Sequence, residues 1–126
     1  RSVRVPEHVG IIADMACGAQ AHYQISSVTG LSGGAEAFLY GNQGTLHFSD
    51  GKLYGGTRSD SELSEIDIPE EEKGAWRVEE EFINAIRGKE IITHTTFEDG
   101  VKYMEFTEAV TLSMMEGAAI PLPLVS

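Results

Sequence analysis

Residues 35–56, AEAFLYGNQGTLHFSDGKLYGG, decide how this chain is read. Three short apolar and aromatic runs are separated there by two turn signals. Asn42 and Gln43 lie between Gly41 and Gly44, and Asp50-Gly51 is a pair strongly favoured in two-residue hairpin turns, where both positions need positive φ. Two hairpins in succession reverse the chain without a crossover. The spacing therefore predicts an antiparallel meander and not alternating strand–helix–strand units.

The same grammar extends in both directions. Toward the N-terminus, HVGIIADMAC (residues 8–17) is apolar nearly throughout, with Val9, Ile11, Ala13 and Met15 on one face. AQAHYQISSV (residues 19–28) alternates more clearly: Ala19, Ala21, Tyr23 and Ile25 fall on one face, and Gln20, His22, Gln24 and Ser26 on the other. Period two marks half-buried strands, and Gly18 sits where the two runs would turn back. TGLSGG (residues 29–34) reads as a loop by its glycines. On the other side, ELSEIDIP (residues 62–69) is expected to be a last short strand, closed by Pro69.

Beyond it the period changes. From Trp76, the residues Val78, Phe82, Ile83, Ala85 and Ile86 recur at helical spacing, and Gly88 follows as a stop. Phe82 is expected to be a core residue. A second helix is expected to open within THTTFEDG (residues 93–100), where Thr95 and Glu98 have the form of a capping box and Asp99 adds favourable charge. It runs to Gly117, and the terminal AIPLPLV (residues 119–125) reads as extended. The expected class is α+β: one domain over residues 1–126, with an open, mainly antiparallel sheet and the two helices on one of its faces.

Composition narrows the function. The 41% hydrophobic content is near the globular norm, and no apolar run is long enough to span a membrane. The opening RSVRVPEHVG lacks an apolar signal core, and Cys17 is a lone cysteine, so a reducing cytoplasm is expected. Nine Lys and Arg against twenty Asp and Glu give a net charge of −11, with the cations scattered. Such a surface repels a phosphate backbone, so no nucleic-acid partner is expected. A start at Arg1 is expected to mean a piece of something longer.

Glu79, Glu80 and Glu81 raise the question of a carboxylate site. Neighbouring positions on a helix point about 100° apart, so three in a row cannot converge on one metal, and a solvated helix start is the expected reading. His8, His22, His47 and His94 fall on separate elements without ligand spacing, and no metal site is expected. The face Gln20, His22, Gln24 and Ser26 is different, because an all-polar strand face suits a ligand or a partner as well as it suits water. Glu108 falls between Val101, Met104, Leu112 and Met115 on a helical wheel, so it is expected to be buried and either hydrogen-bonded or part of a site. No G-x-S-x-G, dinucleotide fingerprint or phosphate loop occurs. No catalytic constellation emerges.

Taken in order, Gly41, Gly44 and Leu46, then Phe82, Ala85, Ile86 and Gly88, then Gly100, Ala109, Ser113, Gly117 and Leu122 carry a resemblance over nearly the whole chain. It resembles the C-terminal domain of the glucose–fructose oxidoreductase/inositol dehydrogenase (Gfo/Idh/MocA) family. The resemblance implies an NAD(P)-dependent oxidoreductase whose N-terminal Rossmann domain binds NAD or NADP, and whose open sheet helps to hold a small-molecule substrate (a sugar, cyclitol or relative) and often forms the subunit interface. It implies a homo-oligomer. The family's catalytic Lys and its Asp/His pair have no counterpart in this chain, so no catalytic or cofactor-binding residue is assigned and the chain alone is expected to be inactive. Gln20, His22 and Gln24 are the expected substrate or interface face. The rival reading is a non-catalytic binding or assembly domain that keeps the same sheet.

Overall fold

The computed structural model describes residues 6–93 and 95–124; residues 3–5 of the expected strand region, His94 and Val125 lie outside them. In chain order the strands are β1 (His8–Asp14), β2 (Gln20–Ser26), β3 (Glu36–Tyr40), β4 (Gly44–Ser49), β5 (Lys52–Thr57) and β6 (Ser64–Ile66). A short 3-10 turn at Glu70–Glu72 precedes two helices, α1 (Val78–Ile86) and α2 (Phe97–Glu116). The class is α+β with open antiparallel sheets. The described residues form two sheets: β1 pairs with β2, and β3-β4-β5-β6 form a meander. The break falls in the loop of residues 27–35, where Leu31 (φ 58°) and Gly34 (φ 99°) both take left-handed backbone that no strand can continue through.

The turns explain the register. Asp50 and Gly51 have φ of 51° and 75°, the two-residue turn with positive φ at both central positions, and it sets Ser49 opposite Lys52. Gly41 N–H donates to Gly44 O at 2.8 Å across the β3–β4 turn. Gly44 is required there for a steric reason: a Cβ at this position would collide with the carbonyl oxygen of Gly56 on β5. The alternation then sorts two faces. Leu39, Leu46 and Gly55 align across one, beside Ala37, Phe48, Leu53 and Ile66. Phe38, His47, Tyr54 and Glu65 align across the other.

Both helix ends follow local chemistry. α1 closes with Gly88 in left-handed backbone (φ 67°), Lys89 N–H donating to Asn84 O at 2.9 Å and Gly88 N–H to Ala85 O at 3.0 Å. That six-to-one and five-to-two pair is the Schellman closure. α2 ends on Gly117 (φ 65°). Its start lies one residue later than the spacing suggested. Thr96, not Thr95, is the cap: Asp99 N–H donates to Thr96 Oγ1 at 3.2 Å, and Thr96 N–H donates back to Asp99 Oδ2 at 3.2 Å. Thr95 has φ 56°, so it turns the chain before the helix and cannot present its hydroxyl to the first turn.

Helix faces depart from the sequence reading. Among the described residues only Glu81, at 2% exposure, and Ala109, at 7%, are fully buried. Glu81 is therefore not part of a wet helix start. It lies beneath the segment that leads into α2, taking Thr93 N–H at 3.2 Å and Thr93 Oγ1–H at 2.8 Å. Glu79 and Glu80 do stay exposed, accepting from Trp76 Nε1–H at 2.8 Å and pairing with Arg77 at 3.0 Å. Phe82 is not a core residue; it is 52% exposed, and Val78, Ile83 and Ile86 on α1 are exposed with it. Glu108 is exposed as well, because Val101, Met104 and Met115, which were to bury it, are themselves open to solvent.

By contact density the chain divides into two compact units. One gathers Tyr23–Gly74 with the chain up to Gly10, and contains the four-stranded sheet. The other gathers Ile11–His22 with the chain from Ala75, and contains the tip of the first hairpin and both helices.

Candidate functional site

Two surfaces place chemistry-bearing side chains together. The first is the tip of the β1–β2 hairpin. Met15 N–H donates to Ala19 O and Gly18 N–H to Met15 O, both at 2.8 Å, and Gly18 (φ 87°) closes the turn. Asp14 ends one strand and Gln20 begins the next, which brings their side chains into reach. Gln20 Nε2–H donates to Asp14 Oδ1 at 3.1 Å, and Gln20 Oε1 lies 2.8 Å from His22 Nε2. Two of the four residues expected on the polar face, Gln20 and His22, are thus linked to each other and to Asp14. Gln24 is exposed farther along β2, and Ser26 Oγ is turned to accept Val28 N–H at 3.3 Å.

The second surface was not singled out in the sequence. On the meander, His47 of β4 stacks on Phe38 of β3 with ring centroids 3.9 Å apart and planes within 3°. Phe38 in turn lies parallel to Tyr40 at 5.7 Å, and His47 sits 5.9 Å from Tyr54 of β5. Glu36 Oε2 accepts from His47 Nε2 at 3.1 Å. Lys52 reaches Glu65 at 2.9 Å on the same face, and that carboxylate, by hydrogen bond and by charge, holds the ammonium above its ordinary pKa. The result is a row of upright rings rimmed by charge, with Tyr40 at its open end. Period two does carry the signal: Glu36, Phe38 and Tyr40, then Thr45, His47 and Ser49, alternate out of the apolar set. Considering each histidine singly for metal spacing conceals it.

Two open hollows are found, one on each compact unit. One of about 420 Å³ lies at the end of the meander, lined by Tyr40, Gly44, Gly56, Arg58, Asp60 and Glu62 among others. Its Asp60 carboxylate is already engaged, taking the Thr57 hydroxyl and N–H at 2.7 Å each, which lowers its pKa. The other, about 650 Å³, follows the exposed arc of α2 past Phe97, Val101, Met104 and Glu108 to Leu124. Among the described residues no set of three or more His, Cys, Asp or Glu side chains is placed to hold a metal ion. Nor is any described helix long and apolar enough to cross a membrane.

The hairpin tip carries a polar relay, and the meander carries an aromatic row. No protein-family model matches this chain, and no curated protein or solved structure does.

Proposed function

We propose that this chain is the substrate-side and assembly domain of an NAD(P)-dependent oxidoreductase of the Gfo/Idh/MocA kind, acting with a Rossmann domain of the same protein on a sugar, cyclitol or related small molecule. The observation that carries the reading is the agreement between motif and element. Gly41 and Gly44 bracket a strand turn, and Phe82, Ala85, Ile86 and Gly88 span α1 and its closure. Gly100, Ala109 and Ser113 lie in α2, and Gly117 caps it. The elements follow one another in the order in which the resemblance sets these motifs. The open antiparallel meander supports the reading further, because it leaves a broad strand surface for a ligand or another subunit.

In this reading the cofactor, NAD or NADP, belongs to the Rossmann domain, and this chain contributes surface. Hydride transfer from a carbinol needs a base and a nicotinamide ring, and this chain is assigned neither. Its part is to hold the substrate and to join subunits. The joining function is tested by analytical ultracentrifugation of the wild type and His22→Glu. Concentration-dependent dimers that weaken in the variant are expected, since added negative charge would face a copy of itself. A wild type that stays monomeric throughout removes the assembly role, and an unchanged dimer moves the contact away from β2. A non-catalytic assembly domain keeps the same sheet. It would be favoured if the native reading frame carries no upstream G-x-G-x-x-G fingerprint.

A further inference from the structure

We infer that the outer face of α2 is a docking seam for a basic amphipathic helix of a protein partner, and that Glu108 selects the charge of that helix. The inference is independent of the proposed function, which places subunit contacts on the sheet.

Spacing and exposure coincide on this face. Phe97, Val101, Met104, Glu108, Thr111 and Met115 follow one another at intervals of four and three residues, the repeat by which one helix lays a straight seam along another. All six are exposed, and the four apolar ones are 59–87% open. Phe106, Ala109 and Ser113, on the opposite side of the same helix, are the half-buried to buried ones. The seam is therefore what remains after α2 has packed on its own unit. Phe97, Val101, Met104 and Glu108 line the hollow of about 650 Å³ together with Leu124, from the segment after Gly117. An open trough of large apolar side chains, methionine among them, is the form in which an amphipathic helix is held.

Charge decides between occupants. Along one flank of the seam stand Glu98 and Glu105; along the other stand Gly100 and Thr107, which carry no charge and little bulk. Among the described residues no cation pairs with Glu98, Glu105 or Glu108. Lys102, the one cation of α2, lies 3.3 Å from Asp99. A second copy of the chain fits badly in either direction. Parallel helices set Glu108 against Glu108 in the seam, and antiparallel helices set the Glu98–Glu105 flank against its own copy. The net charge of −11 on each chain adds to that repulsion, and it disfavours an anionic lipid surface as well. A helix with Lys or Arg opposite Glu108 and along the Glu98–Glu105 flank meets opposite charge at each of these points. Its apolar residues then cover Phe97, Val101, Met104 and Met115, and Gly100 and Thr107 leave room for close approach.

The test uses the 126-residue chain and two synthetic helical peptides, each apolar along its seam and about three heptads long, the length of α2. One peptide carries Lys at the centre of its seam and along both flanks; the other carries Glu at the same places. Fluorescence anisotropy should show saturable binding of the Lys peptide that weakens as salt is raised, and at least about tenfold weaker binding of the Glu peptide. Glu108→Lys should weaken the Lys peptide about tenfold and strengthen the Glu peptide. Met104→Glu should abolish binding while circular dichroism stays unchanged, because that side chain is already exposed. No binding of the Lys peptide, equal binding of the two, or binding that survives Met104→Glu overturns the inference. A dimer dispersed by Met104→Glu and not by His22→Glu would give the seam to a second copy. Association with phosphatidylcholine vesicles and with neither peptide would give it to a lipid surface. Either result overturns the choice of partner. Failure of the parent protein to bind a dinucleotide would defeat the proposed function and leave these titrations as they are.

Discussion

The four-stranded meander and the helices α1 and α2 are specified in different ways. In the meander, turn residues and side-chain alternation settle the outcome together. Asp50-Gly51 fixes the register, and every residue opposite then falls on the face its period gives it. In the helices, local signals settle only the ends. Gly88 and Gly117 stop the helices where expected and the Thr96–Asp99 box starts α2 one residue later than expected, yet Phe82 and Ile86 face water while Glu81 does not. Ends and turns are decided by residues a few positions apart. Faces are decided by whatever packs against them. The difference teaches that strand and cap chemistry is read directly from neighbours in sequence, whereas the buried side of a short helix is not.

The largest expected effect probes the meander. Gly44→Ala drives a methyl group into the Gly56 carbonyl on the facing strand, and should cost about 3 kcal/mol in a denaturant melt. A neutral result would mean that the β3–β4 turn is not built on that close approach. Next comes the helical region. Glu81→Ala leaves the Thr93 N–H and hydroxyl without their buried carboxylate and should cost about 2 kcal/mol. Glu80→Gln, one position earlier and exposed, should scarcely move the midpoint. Equal effects of the two would return the whole glutamate triplet to the solvent.

The caps yield a smaller effect and a pH signature. Thr96→Ala should cost about 1 kcal/mol, the usual loss of an N-cap. The Thr96 hydroxyl, then its N–H, then Lys102 hold the Asp99 carboxyl below its ordinary pKa. A group depressed on folding contributes stability above its unfolded pKa and loses it as pH falls through the lower folded value. Acidification from just below the ordinary aspartate range should therefore fray α2, with the loss visible in far-ultraviolet circular dichroism. Asp99→Asn should remove that part of the acid limb; an unaltered limb would contradict the cap. Phe82→Ala should also cost no more than about 1 kcal/mol, because Phe82 is already half exposed. A loss of 3–5 kcal/mol, the range for a core phenylalanine, would show that the ring is covered after all.

Legibility followed the same division. The six strands, the two hairpin turns of the meander and the glycine stops of both helices can all be read from spacing, since each rests on a local steric or hydrogen-bonding requirement. The cap of α2 is displaced by one residue because Thr95 and Thr96 are chemically interchangeable and only the backbone at Thr95 separates them. Glu81 cannot be recognised in advance: its partner, Thr93, is twelve positions away across a loop. Glu108 fails for the converse reason, as an apolar arc on a wheel does not say whether anything lies against it. On the candidate site, alternation finds the Gln20–His22 face but cannot reveal Asp14, which joins it through the turn. The His47 row is latent in the same alternation, since Asp50-Gly51 sets the register that aligns Phe38, His47 and Tyr54, but a search for metal spacing does not look across strands.

The central claim is that this chain supplies a recognition surface to an oxidoreductase and leaves the dinucleotide to another domain. Calorimetric titration with NADH and with NADPH, on the chain alone and on the protein encoded by its full native reading frame, tests it most directly. The account predicts no saturable binding to the 126-residue chain and micromolar binding of one of the two cofactors to the longer protein. Saturable micromolar binding to the chain alone, or no binding of either cofactor to the longer protein, would contradict it.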